Sequence, residues 1–359
     1  MDCPSIPDLN YSDFGKQLGE AVGNRRIPLS AMIELTERCN LRCQHCYIST
    51  SAMDADAKSK ELSTEQWYRI LDDLAEEGTL WLRISGGEPL LRPDFRDIYV
   101  YAKSKGFLVS LFTNATLITP ALADFLHEWP PENVAITLYG ATAETYERIT
   151  GIPGSFQRCR RGIDLLRERG IPFKLRTVVM TLNLDEYWSI RAYAEEIGAD
   201  FAHDPVVRPA VTDGVGRNPV DLRITPEQVV ELEKALPMAE EEWQRLARDY
   251  WSKPGDTLYN CGAGLRSLHI AADGMLYLCA MSRERGYSLI DGSLREGWRE
   301  FLYEVRYQPF TKEFACRDCE MSVLCARCPA FAALENGDPE SVVEYVCQIA
   351  HLRAETFLP

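Results

Sequence analysis

Six short apolar runs, each followed by a stretch with helical periodicity, organise the chain between residues 31 and 207. They are AMIELT (31–36), LWLRIS (80–85), FLVSLFT (107–113), VAITLY (134–139), PFKLRTVVMT (172–181) and ADFAHDPVV (199–207). The first helical stretch, STEQWYRILDDLAEEG, shows the pattern well. Ser63 and Gln66 form a capping box, Trp67, Ile70, Leu71 and Leu74 share one face, and Gly78 ends the helix. Strands that alternate with helices pair in parallel through right-handed crossovers. An open doubly wound sheet is the competing topology, but no G-x-G-x-x-G follows any run. The expected fold class is therefore α/β, a partial (β/α)6 TIM-like barrel followed by a cysteine-rich extension with a β-hairpin. Chemistry in such barrels gathers at the C-terminal ends of strands. Chain order aims four loops there: RCNLRCQHCY, GGEP, TNAT and YGAT.

A length of 359 residues accommodates that barrel and an extension. The expected organisation is an N-terminal segment (1–30), the barrel (31–224), a bridging helix (225–255), and a cysteine-rich region with a C-terminal helix (256–359). The first residues, MDCPSIPDLNYSDFGKQLGEAVGNRR, carry no apolar signal-peptide core, and no run approaches the roughly 18 apolar residues of a membrane span. A cytoplasmic protein without a membrane partner is expected. A net charge of −15 argues against nucleic-acid binding, which needs a basic footprint.

Twelve cysteines in a reducing compartment are not expected to be disulfides. Cys3 and Cys159 stand alone, and Cys159, within SFQRCRRGIDLL, reads as a small apolar filler. The other ten form two clusters. Cys39, Cys43 and Cys46 follow a C-x3-C-x2-C spacing. Iron–sulfur cubes normally take four thiolates, so three would leave one iron open, as a catalytic metal site does. The alternative is zinc completed by a distant ligand such as His45 or His127.

CNLRCQHCY, followed one β-α unit later by SGGEPLLRPDF, resembles the radical S-adenosylmethionine (radical SAM) enzymes. The resemblance implies a 4Fe–4S cluster on Cys39, Cys43 and Cys46, with Tyr47 at an aromatic position beside them. Gly86, Gly87, Glu88 and Pro89 would line the methionine amino group, largely through backbone. It also implies reductive cleavage of S-adenosylmethionine to a 5′-deoxyadenosyl radical that abstracts hydrogen from substrate. LFTNAT is similar to a family turn written T-N-G, so Thr113 and Asn114 would line the cosubstrate, with Ala115 a departure. ITLYGAT is similar to a strand end written S-L-D-G-A. Thr137 would offer a hydroxyl to the ribose, and Tyr139 replaces the usual acid.

In the rear half, LRSLHIAADGMLYLC reads as a hairpin around Asp273-Gly274. Taken alone, the C-x2-C steps read as a zinc ribbon. The full pattern, C-x12-G-x4-C, then C-x2-C-x5-C-x2-C, then a last cysteine, resembles the SPASM extension of radical SAM enzymes. By that resemblance Cys261, Cys279 and Cys328 hold a nearer auxiliary cluster, one ligand short. Cys316, Cys319, Cys325 and Cys347 hold a farther one, giving three 4Fe–4S clusters in all. SPASM extensions often accompany peptide substrates. The expected function is maturation of a ribosomally made peptide (RiPP) by a thioether, C–C or C–O crosslink or a related oxidation. A formylglycine-forming sulfatase maturase competes, although Ala280 follows Cys279 where an aspartate is usual. A non-catalytic electron-transfer or zinc protein is the reading from another class. About thirty residues precede the first strand, so a leader, if one is read, is expected to be read by a separate protein or with the bridging helix contributing, and flavodoxin or ferredoxin is expected as electron donor. His203, Asp204 and Arg208 stand at the sixth strand's mouth, and Asp204 and Arg208 are candidate substrate contacts.

Overall fold

The computed structural model describes residues 11–23, 25–48, 50–211, 218–250, 255–325 and 327–358. Strands β1 (Ser30–Glu34), β2 (Trp81–Ser85), β3 (Leu108–Thr113), β4 (Asn133–Thr137), β5 (Phe173–Val178) and β6 (Asp200–Asp204) follow one another in space as in sequence. Every neighbouring pair is parallel. The order never returns β6 to β1, so the barrel is partial. Ile33, Leu82, Ile84, Val109, Leu111, Val134, Ile136 and Leu175 are wholly buried, as expected of parallel strands covered by helices. The helix Thr64–Glu76 carries the expected capping box and buries Trp67, Ile70, Leu71 and Leu74. Between β4 and the helix Ser155–Glu168 lies a further helix, Ala143–Thr150, capped by Thr142 and ended by Gly151 in the left-handed region.

Two elements depart from the expected organisation. The bridging stretch is two helices, Pro226–Lys234 and Ala239–Tyr250. Pro237 removes a backbone donor between them, and Met238 takes a φ of 62°. The rear hairpin, β7 (Ser267–Ile270) and β8 (Met275–Tyr277), turns at Asp273-Gly274 as read from sequence. It does not stand apart from the barrel: β7 pairs in parallel with the outer edge of β1, and β9 (Tyr287–Ser288) pairs with β8. An open barrel leaves β1 with unpaired backbone groups, and the apolar run of β7 covers them. At the other end of the rear region, the helix Glu344–Phe357 packs on Pro226–Lys234, where buried Arg353 pairs with buried Glu233.

The loop after β2 lies directly on the chain leaving β1. Gly87 N–H donates to the Thr36 carbonyl at 2.7 Å, and Glu88 N–H donates to that of Arg38 at 2.9 Å. A Cβ on Gly86 would stand 2.2 Å from the Thr36 oxygen, and one on Gly87 2.4 Å from the oxygens of Glu37 and Arg38. Gly86 also has a φ of 142°. Glycine is required here because two backbones touch. Gly87→Ala is expected to destabilise the protein by about 1–3 kcal/mol through overpacking. Gly15→Ala, in the helix Tyr11–Val22 with nothing within 4 Å, should stabilise by about 0.5–1 kcal/mol. Denaturant unfolding of both variants checks the contrast.

Candidate active site

The chain leaving β1 carries Cys39, Cys43 and Cys46. Arg38–Cys39 pairs in parallel with Thr50–Ser51, which ties the base of the loop. Arg38 grips Glu61 with two hydrogen bonds, Nε–Oε1 at 2.7 Å and Nη2–Oε2 at 3.1 Å. Cys39 Sγ accepts from Leu41 N–H at 3.4 Å and from Asn114 Nδ2 at 3.8 Å. Burial, and then Glu88, push the Cys39 thiol up to about 12. Burial and then the neighbouring Cys46 and Cys39 raise Cys43 well above the usual thiol range. Three thiols that oppose one another's ionisation become a ligand set once a cationic centre sits among them. Three soft donors on one loop fit an iron–sulfur cluster. Among the described residues no three His, Cys, Asp or Glu side chains stand as ligands of one metal ion. His45 is buried edge-on against Tyr139, with 4.4 Å between ring centroids, and its Nδ1 has no partner. His127 lies elsewhere, with Nδ1 2.9 Å from the Arg169 carbonyl.

The residues expected to line the cosubstrate also knit the strand ends together. Glu88 is fully buried. Its carboxylate accepts from Thr113 Oγ1 at 2.8 Å, from Asn114 N–H at 2.8 Å and from Leu90 N–H at 3.1 Å. Burial pushes it up to about 7 despite these donors. Asn114 Nδ2 also donates to Asn40 at 2.9 Å, so the end of β3 is pinned to the cysteine loop. Pro89 opens a single 3-10 turn, Pro89–Leu91. Ala115 has a φ of 59°, the left-handed conformation for which glycine is better suited. Thr137 closes β4, and the Tyr139 phenol just beyond it is buried, its ionisation opposed by burial and then by Cys43. Cys159 is wholly buried, as a filler would be, and Cys3 lies outside the described residues.

A second polar group at the mouth escaped the reading of the sequence. Glu34, at the end of β1, is wholly buried. It accepts from Arg283 Nη2 at 2.7 and 2.8 Å and from the Tyr47 hydroxyl at 3.2 Å, and His269 Nε2 stands 3.5 Å away. Burial opposes its charge, yet His269 and Arg283 together hold Glu34 down to about 2. Arg283 Nε donates to the Ala280 carbonyl at 2.9 Å, beside Cys279. A continuous polar path therefore runs from Tyr47, next to Cys46, to the residue next to Cys279. The one signal in the sequence was an acid closing an apolar strand.

The rear cysteines lie near one another in space. Cys279 and Cys328 are raised mainly by burial, and each also feels Cys261. Cys328 is the N-cap residue of the helix Pro329–Asn336. Cys316, Cys319, Cys325, Cys328 and Cys347 all line one largely apolar cavity. Burial and then Cys316 and Cys347 push Cys325 up to about 12. Arg208 Nη2 meets Asp204 Oδ2 at 2.6 Å, and its guanidinium stands 5.7 Å from the Phe331 ring, on the Cys328 side of the mouth. His203, on the opposite face of β6, packs against Tyr187 instead.

The model of the Radical SAM superfamily matches residues 33–194. An AdoMet-dependent heme synthase of Methanosarcina barkeri is 30% identical over 328 residues, 85% of this chain and 92% of that protein. A PqqA peptide cyclase of Ruegeria pomeroyi is 28% identical over 339 residues, 89% of this chain and 87% of that protein. Among solved structures, Streptococcus suis SuiB bound to S-adenosylmethionine superposes with a TM-score of 0.70 at 18% identity, covering 96% of this chain and 84% of SuiB. The enzyme anSMEcpe with bound AdoMet and a peptide gives 0.68 at 18% identity, covering 91% and 96%. The two structures show a shared fold. The superfamily uses a 4Fe–4S cluster and S-adenosylmethionine, and the three front thiols fit that pair. The chain belongs to the radical SAM superfamily.

Proposed function

We propose that this chain is a radical SAM peptide maturase with three 4Fe–4S clusters, acting in the reducing cytoplasm on a ribosomally made peptide. One observation carries the reading: rear cysteines gather at the barrel mouth, where Cys279 and Cys328 stand beside Arg208 and Cys279 adjoins the Tyr47–Glu34–Arg283 path. When bound, the front cluster supplies the electron that cleaves S-adenosylmethionine and so starts hydrogen abstraction. Cys39, Cys43 and Cys46 hold that cluster and leave one corner for the cosubstrate. Gly86, Gly87, Glu88, Thr113 and Asn114 keep the cysteine loop in register with β2 and β3. Tyr139 and His45 wall the pocket against water, and Asp204 and Arg208 meet the substrate.

A peptide substrate is supported by the PqqA peptide cyclase relative and by the fold shared with SuiB, solved with the precursor peptide SuiA, and with anSMEcpe, solved with peptides. A separate leader-binding protein and a flavodoxin or ferredoxin complete the proposed system. The heme synthase relative supports a second reading, a tetrapyrrole substrate. The formylglycine reading gains nothing from Ala280, whose carbonyl is taken up by Arg283.

Mass spectrometry decides between the substrates. Reconstituted enzyme with reductant and S-adenosylmethionine should change the mass of a short peptide encoded nearby and leave Fe-coproporphyrin III unaltered. The reverse outcome replaces the peptide reading with the tetrapyrrole one. Cys39→Ala should reduce 5′-deoxyadenosine release to background. Cys316→Ser should keep that release, lose peptide product, and bind about a third less iron, one cube of three.

A further inference from the structure

Arg327 lies between Cys325 and Cys328 in sequence and lines the cavity that Cys316, Cys319, Cys325 and Cys347 share. Its terminal nitrogens donate to backbone carbonyls, Nη1 to Leu258 and Nη2 to Pro339, both at 3.1 Å. The guanidinium stands 4.9 Å from the ring centre of Phe314 and 5.5 Å from that of Phe310. Its Nε is buried with no partner, and its charge acts on the Cys316 thiol. Among the described residues no carboxylate pairs with it. Arg353, the other arginine against this region, is by contrast closed off by Glu233. A cation is therefore fixed against four thiols without a counter-charge from the protein. The remaining lining includes Met321, Val343, Val346 and Ala350, a poor environment for charge.

We infer that Arg327 is the built-in counter-cation of the cluster held by Cys316, Cys319, Cys325 and Cys347, and that it raises that cluster's reduction potential. The inference rests on the proposed auxiliary clusters. A thiolate-bound cluster is anionic and gains a further negative charge on reduction. A cation held in a low-dielectric cavity favours the reduced form more than the oxidised one. Arg327 thus makes the farther centre a readier electron acceptor than it would be without that charge.

Potentiometric EPR of the reconstituted holoenzyme tests this, with the farther centre's signal identified as the one missing from Cys319→Ser. Arg327→Met should retain wild-type iron and move the midpoint of that signal to a more negative potential. Arg327→Lys should fall between the two, and the other signals should stay in place. Full iron with an unmoved midpoint in Arg327→Met overturns the inference and leaves the auxiliary clusters standing. If Arg327→Met fails to load the farther centre, wild-type protein labelled with 15N-arginine decides. A 15N coupling on the farther signal that is absent from Arg327→Lys supports the assignment, and no coupling overturns it. Wild-type protein holding only about four irons would remove the auxiliary clusters themselves, and this inference with them.

Discussion

The site depends on two backbones pressed together. The Gly86-Gly87 segment lies so close to Thr36, Glu37 and Arg38 that no side chain fits between them. That contact fixes the start of the cysteine loop relative to β2. Glu88, next in the chain, extends the constraint to β3 through Thr113 and Asn114, and Asn114 reaches Cys39 itself. Three strand ends thus define where the first thiol stands. A loop of ten residues with three cysteines has little structure of its own, and its conformational entropy would otherwise oppose assembly of a metal site. Glycine is needed here first for packing, whatever its backbone does for a ligand.

The same economy joins the rear region to the barrel. β7 completes the sheet along β1, and Arg283 returns from the rear hairpin to neutralise Glu34 at the strand's end. A buried carboxylate without its partner costs about 3–5 kcal/mol, so the rear region cannot shift without exposing that cost. Tyr47 joins the same carboxylate from the front loop. The front thiols and Cys279 are therefore held in one frame by a short polar path, although their residues are far apart in sequence.

What was legible in the sequence was what repeats locally. Alternating apolar runs gave all six barrel strands, the capping box at Ser63 gave its helix, and the cysteine spacings pointed to thiols that the fold gathers, Cys316, Cys319, Cys325, Cys328 and Cys347 about one cavity. The misses were long-range or depended on one residue. Nothing local in SLHI says that it pairs with a strand more than 230 residues earlier, and nothing near Arg283 points to Glu34. Pro237 splits a stretch whose apolar periodicity reads straight through it. Glu88 was legible as part of a motif. Its three hydrogen bonds were not, because they depend on the spatial order of β2 and β3.

A vacant corner on the front cluster is the centre of the account, since it assigns the missing fourth thiolate to the cosubstrate. The most direct measurement is EPR of the anoxically reconstituted, reduced protein with and without S-adenosylmethionine. A cubane signal that shifts on addition of the cosubstrate, and is lost in Cys39→Ala, is the predicted result. A signal indifferent to the cosubstrate, or no cubane signal from the front cysteines, would contradict it.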